Sequence, residues 1–297
     1  MNRVGATLLI LLLVQLGVIT MLHRGETTAT SGAVSSALID PGTYAVDAIS
    51  LTDGKGNSLS LRRVGDRWLL PALDNLPADP VRVEKLLEQL TSEDPGWSVA
   101  HSLAARQRFQ VALYPFRRKL VLSALEQELG TVFLGTSPGF RKVHARNDDD
   151  DNIYAVDLNL FELPITPGQW LDPRLLQVRA PVAIAADGYS VQRSSGEWRL
   201  GSGKKPDPRE LQALVNALKN LQVQDIAAPA IAAEVATEEA ALVLQIESLS
   251  GAVTLELFKH QQQHFVRSSE YPYLFLISAY EFDKLTGIDG FLLSGAQ

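Results

Sequence analysis

One pattern is written twice in this chain, and it constrains the fold more than any other feature. Residues 60–70 read Ser-Leu-Arg-Arg-Val-Gly-Asp-Arg-Trp68-Leu-Leu. Apolar and polar residues alternate through a Gly65-Asp66 turn, the period of half-buried strands. A polar loop leads to Asp79-Pro80, and Val83, Leu86, Leu87 and Leu90 follow on one helical face. Asp as N-cap with Pro at the first helical position is a helix start. From residue 190 the pattern returns: Ser-Val-Gln-Arg-Ser-Ser-Gly-Glu-Trp198-Arg-Leu, then Asp207-Pro208, then Leu211, Leu214, Val215, Leu218 and Leu221.

The order continues past the helices. Alternating runs at 242–246 and 253–258 match those near 121 and 132, and 264–267 matches 143–146. Residues 273–277 match 153–156, Phe282 falls where Phe161 did, and Asp289, Leu292 and Leu293 fall where Asp172, Leu175 and Leu176 did. An ordered series of this kind marks a duplication. Within the first copy, residues 44–51 and 58–63 flank Asp53-Gly-Lys-Gly-Asn57 as a hairpin. A calcium loop is the alternative there, but Lys55 stands where an oxygen ligand is needed. Residues 109–113, 119–125 and 131–134 read as strands, 98–108 stays open with a short helix as the reading on offer, and 141–146 with 153–156 read as a second hairpin. The expected class is α+β: an N-terminal transmembrane helix followed by two tandem, duplicated α+β modules, each an antiparallel sheet with a packed helix.

Residues 4–22 (VGATLLILLLVQLGVITML) carry no charge. At ~1.5 Å per residue they reach roughly 28 Å, close to the hydrocarbon thickness. The run exceeds the ~7–15 residues of a signal-peptide core, and small-x-small sites such as Ser31-Gly-Ala33 lie far downstream, so an anchor is preferred over a cleaved signal. Local charge is nearly balanced, Arg3 before and Arg24 after. A large Cys-free, acidic region behind a short tail reads as a signal-anchor with its bulk exported. The expected plan is a cytoplasmic tail at 1–3, a transmembrane anchor at 4–22, a flexible linker at 23–42, and modules at 43–176 and 177–297. The expected location is the bacterial inner membrane, with most of the chain periplasmic.

At 297 residues and 46% apolar, the chain is long enough for two domains with sizeable cores. A formal charge of −7 without an evident basic face argues against nucleic acid. The absence of cysteine excludes disulfides, thiolate catalysis and Cys-ligated metal.

Gly135-Thr-Ser137-Pro-Gly139 matches the hydrolase nucleophile elbow in letters only. The elbow uses the backbone N–H after the serine as an oxyanion donor, and Pro138 has none. A hairpin loop is the better reading. The four acids Asp148–Asp151 read either as a hard-cation site or as a solvated hairpin tip, and the tip is preferred because successive side chains diverge. His101, His260 and His264 lack metal-ligand spacing, and Gly201-Ser-Gly-Lys-Lys205 lacks that of a phosphate loop. No catalytic residue, cofactor or metal site is expected. The best surface candidate is the stripe Lys142, His144 and Arg146, which share one strand face, together with the loop bearing Thr136, Ser137 and Gly139. The stripe reads as a contact for an anionic partner or as an exposed face whose charges pair with neighbours.

The run Phe133-Leu-Gly-Thr-Ser-Pro-Gly-Phe-Arg-Lys-Val-His-Ala-Arg146, then Ile153-Tyr-Ala-Val156, Trp170-Leu-Asp172 and Pro77-Ala-Asp79, resembles a bacterial family, the domain of unknown function numbered forty-three-forty. The resemblance covers most of residues 59–176 and, more faintly, the second copy. It implies an anchored envelope protein linked with gliding-motility-type ABC transporter components, a permease and a substrate-binding-like subunit. It defines no catalytic residues. The expected function is a non-catalytic, membrane-anchored periplasmic accessory protein of such a system. The alternative is a periplasmic module that binds a ligand or wall polymer.

Overall fold

Alternation after residue 47 becomes a hairpin. β1 (Ala48–Asp53) and β2 (Ser58–Val64) pair antiparallel, placing Leu51 opposite Leu59 and Ile49 opposite Leu61 on the buried side. Asp53 closes the turn by accepting from the N–H groups of Lys55 and Asn57, each at 2.9 Å. β3 (Arg67–Leu70) and the short β4 (Leu76–Pro77) extend the sheet outward. The Asp79 carboxylate then caps α1 (Pro80–Thr91) through Val81 N at 3.0 Å, and Val83, Leu86 and Leu90 are buried. β5 (Trp97–Ala100) and α2 (Leu103–Phe109) follow, and then β6 (Arg118–Ala124), β7 (Gln127–Leu134), β8 (Val143–Asn147) and β9 (Ile153–Val156). The first sheet runs β4-β3-β2-β1-β6-β7-β8-β9-β5.

The second half comprises β10 (Pro181–Ala186), β11 (Tyr189–Ser194), β12 (Glu197–Leu200), α3 (Pro208–Lys219), β13 (Val223–Ile226), α4 (Pro229–Val235), β14 (Leu242–Ser248), β15 (Gly251–His260), β16 (Gln263–Ser268), β17 (Leu274–Ile277), α5 (Ala279–Thr286) and α6 (Gly290–Leu293). Asp207 caps α3 through Arg209 N at 2.8 Å and Glu210 N at 3.2 Å. The sheet runs β12-β11-β10-β14-β15-β16-β17-β13. Strand for strand this is the order β3-β2-β1-β6-β7-β8-β9-β5 of the first sheet.

The computed structural model describes residues 15, 37–40, 42 and 45–295, and the sheets lie in the compact unit Ala37–Gln297. The inner faces of both sheets and the apolar faces of α1 and α3 share one continuous core. Trp170, fully buried in it, donates from Nε1 to Pro164 O at 2.9 Å.

Two expectations are corrected. The α+β class gives way to two antiparallel sheets with few helices. The clear helix starts at Asp79 and Asp207 gave the helices undue weight, because a capping signal does not report how small a share of a fold a helix occupies. Among the described residues no helix is long and apolar enough to cross a membrane. The stretch 4–22, apart from Gln15, lies outside the described residues. Residues 109–113 are likewise not a strand. Ser102 caps α2 through Ala105 N at 3.2 Å, the helix runs to Phe109, and Gln110 stops it with φ 57°. Val111 and Ala112 are buried there while Leu113 is exposed, which is not the alternation of a strand.

Candidate functional site

Four loops converge at one end of the first sheet: the β1–β2 turn, the segment entering β6, the β7–β8 loop and the turn after β9. They enclose a groove of about 500 Å³ lined by Lys55, Arg117, Arg118, Arg141 and Lys142, with Asp53 the sole acid on its wall. Gly54 lets the hairpin turn close onto the segment entering β6, since a Cβ there would lie 2.6 Å from Phe116 O. At the rim Phe161 is 94% exposed, and Phe140 beside Arg141 is also exposed. Two apolar rings thus stand in water near the cations.

The acids near the groove are held by their own neighbours. Asp53 accepts from Asn57 Nδ2 at 2.9 Å, and this hydrogen bond, with those from the turn amides, keeps its carboxyl below the usual range. Glu162 accepts from Lys85 at 2.7 Å, which lowers its pKa, and meets Arg141 at 3.8 Å. Lys142 pairs with Asp157 at 2.9 Å. Arg118 donates to Leu163 O and Arg117 to Gln110 Oε1, each at 2.9 Å. The exposed Lys55 ammonium has no ion pair among the described residues. The groove therefore keeps a positive surplus in a chain of net charge −7.

The six residues singled out from sequence divide. Ser137 and Lys142 line the groove. Ser137 Oγ lies 2.7 Å from Gly139 O and 2.5 Å from Lys142 O, so it closes its own loop. Thr136 is half-buried, with Oγ1 2.9 Å from His144 Nδ1. The exposed basic stripe is corrected. His144 is 6% and Arg146 2% exposed, so neither presents its side chain to solvent. Alternation assigned them to one face, but α2 and the loop after it cover that face. Phe109 stacks on His144 at 4.0 Å, and Val111 O accepts from Arg146 Nε at 2.8 Å.

The acid run is a solvated tip, with Asp148, Asp149 and Asp151 exposed, and it is also held by a cation from within. It winds around the Arg146 guanidinium, which donates to the carbonyls of Asn147, Asp148 and Asp150 at 2.8, 2.9 and 3.0 Å and to Asp148 Oδ1 at 3.1 Å. Asp151 pairs with Arg106. Among the described residues no group of acids and histidines is arranged to hold a metal ion. Sequence reasoning missed Lys55, Arg117, Arg118, Arg141 and Phe161. Four of them lie outside strands and Arg118 opens β6, and only the sheet brings these segments together.

Two histidines titrate in opposite senses. On β15, His260 Nδ1 lies 2.6 Å from Glu238 Oε1. Glu234 Oε2 stands 3.2 Å from Nε2, without a well-directed hydrogen bond. The Glu238 hydrogen bond raises the His260 pKa, whereas burial lowers that of His144. A raised histidine stabilises fully below its unfolded value, about 6.5, and its contribution is lost as pH rises through the folded value. A lowered one contributes above the unfolded value and loses that as pH falls through the folded value. The melting difference between parent and His260→Gln should therefore be largest near about pH 5.5 and shrink towards about pH 8.5, the window bracketing the ordinary value. A difference that stays flat or grows with pH would remove the ion pair from the account.

Two antiparallel sheets sharing one strand order define the class: a sheet-built protein with an internally repeated topology. The model of a bacterial family, Domain of unknown function (DUF4340), matches residues 68–244, more than half of the chain and parts of both sheets. The chain belongs to that family. No curated protein and no solved structure matches it significantly.

Proposed function

We propose that this protein is a non-catalytic, partner-binding component of an envelope ABC transport system, acting on the periplasmic side of the inner membrane. Family membership supports the setting, through the transporter association that the resemblance implies. The absence of cysteine agrees with an oxidising compartment. The observation that carries the binding role is the groove, where five cations and the exposed Phe161 face solvent around a cleft of about 500 Å³. Charge complementarity at such a surface speeds encounter and selects partners, while a buried aromatic supplies affinity. The partner this chemistry fits is an acidic protein surface carrying an apolar side chain.

Affinity purification of the full-length protein in mild detergent, followed by mass spectrometry, tests the reading. A permease and its ATPase should come along. Lys55→Glu with Arg141→Glu should reduce their recovery about tenfold, the equivalent of ~1.4 kcal/mol, without lowering the melting temperature. Recovery unchanged by the double reversal would remove the groove as the contact.

A second reading, a ligand- or wall-polymer-binding module, has one observation in its favour. The second sheet carries a concavity of about 640 Å³ of mixed lining, in which Ser190, Gln192, Arg199, Gln245 and Thr254 supply polar groups among apolar neighbours such as Ile184 and Val191. A solitary protein in the purification, together with a melting shift on adding wall fragments, would favour it.

A further inference from the structure

The two halves of this chain are fastened by a joint whose mirror parts are left open. β13 is the outer strand of the second sheet, next to β17. The turn Pro167–Trp170 of the first half covers it. Gly168 sits so close to β13 that a Cβ would run into the Asp225 carboxylate and lie 3.1 Å from Ile226 N. Just beyond, Val223 N donates to Pro173 O at 2.9 Å. An outer strand left uncovered is a template for further pairing, and here the preceding half covers it.

The internal repeat identifies the counterparts of both parts. β5 occupies in the first sheet the place of β13 in the second. It lies next to β9, and each ladder carries a register shift, at Ser98/Ala100 and at Val223/Asp225. Trp97 faces Ala155 as Asp225 faces Leu276. The counterpart of Pro167–Trp170 is α6. Asp79 N donates to Trp170 O at 2.7 Å at the start of α1, and Asp207 N donates to Leu293 O at 2.8 Å at the start of α3. Trp170 and Leu293 are both fully buried. This equivalence replaces the sequence matching of Asp289 with Asp172, and it puts Phe291 in the place of Gly168.

Neither counterpart has its mate among the described residues. On β5, Trp97 is 79% exposed and Val99 is exposed beside it. On α6, Phe291 is 60% exposed and Leu292 is exposed. Large apolar side chains thus stand in solvent at the two positions where the repeat, continued one step further, would form the same joint again.

We infer that copies of this chain associate head to tail, with the α6 turn of one seated on the β5 edge of the next. The contact repeats between molecules the joint that fastens the two sheets within one. It is not an atom-for-atom copy: an aromatic pair, Phe291 on Trp97, replaces the close glycine approach of Gly168 to Asp225. The contact is heterologous, so a joined pair still has one free α6 and one free β5, and assembly continues until the rotation closes a ring. The patch is small, so association depends on concentration. The inference is independent of the basic groove, which is built from other loops.

The chain has no cysteine, which permits a direct test. Full-length Val99→Cys and Leu292→Cys proteins are oxidised separately and as a mixture. A disulfide-linked dimer should form in the mixture and not in either protein alone. Adding Trp97→Ser to the first or Phe291→Ser to the second should reduce the yield about tenfold. In sedimentation the parent's average mass should rise with concentration, and that of Trp97→Ser should stay flat. All four positions are exposed, and matching melting curves confirm that the variants fold. Equal cross-linking of either protein alone would mean a symmetric contact and overturn the proposal. So would a mixture that cross-links no better than its parts, or a parent that stays monomeric.

Discussion

Gly135→Ala should destabilise this protein by roughly 3 kcal/mol or more, through overpacking that has no side chain to displace. Gly135 is buried at the end of β7, donates to His144 O at 2.9 Å, and lies under the last turn of α2. A Cβ would fall on the carbonyl oxygen of Phe109 and lie 2.7 Å from Gln110 O. Both obstacles are backbone. Phe109 O already accepts from Thr136 N at 2.8 Å, and Gln110 is held left-handed by the helix end. Relief therefore requires α2 to lift away from β8, which would uncover His144 and Val111. The expected fall in melting temperature is about 10 °C, at ~2–4 °C per kcal/mol for a chain of this size. Denaturant unfolding should show a lower midpoint at unchanged slope. A loss below about 1 kcal/mol would mean that the α2 end does not sit against Gly135 as described.

Arg146→Met should cost about 3 kcal/mol, less than the fullest penalty for breaking a buried charge pair because water reaches part of the 147–151 turn. The substitution keeps much of the side-chain volume and removes the donors that serve four carbonyls and the Asp148 carboxylate. Val111 O lies in the buried part of the site and would lose this partner. The acids of the turn would also lose the cation that gathers them. Arg146→Lys should recover little, since a single ammonium cannot serve carbonyls spread around a planar fork. Lys142→Glu is the contrast. It breaks an exposed pair with Asp157 and should change stability by no more than ~0.5 kcal/mol. Equal effects at the two positions, read by urea unfolding, would restore the picture of an exposed stripe. The same contrast dictates how partner binding is probed: charge reversal belongs at Lys55 and Arg141, where the fold is indifferent to it.

Local rules were legible wherever their cause lies within a few residues. Asp79 and Asp207 cap helices because a carboxylate two residues before a free amide satisfies it, whatever the rest of the chain does. The Asp53–Asn57 turn forms for the same reason, and Lys55 contributes its backbone N–H while its side chain stays free. The rule of strand faces puts His144 and Arg146 on one side of β8 but answers a different question. It says which residues share a side, and only what packs on that side decides whether they meet water. The covering element, α2 with Phe109 and Val111, lies more than thirty residues away; its helix is left open in the sequence, where residues 109–113 read as a strand.

The groove and the joint between the halves belong to the same category. Lys55, Arg117, Arg141 and Phe161 meet because β1, β6, β7 and β9 end at one rim, a consequence of strand order that no local pattern carries. Sequence alone determined that helices start at Asp79 and Asp207, which residues share a face, and that one pattern occurs twice, because caps, side-chain periodicity and repetition are properties of neighbours along the chain. Tertiary structure alone decided the dominance of the sheets, the burial of Arg146, the convergence of the cations and the exposure of Trp97 and Phe291. Each of those depends on which distant backbone arrives to exclude water, and desolvation is set by what surrounds a residue in space.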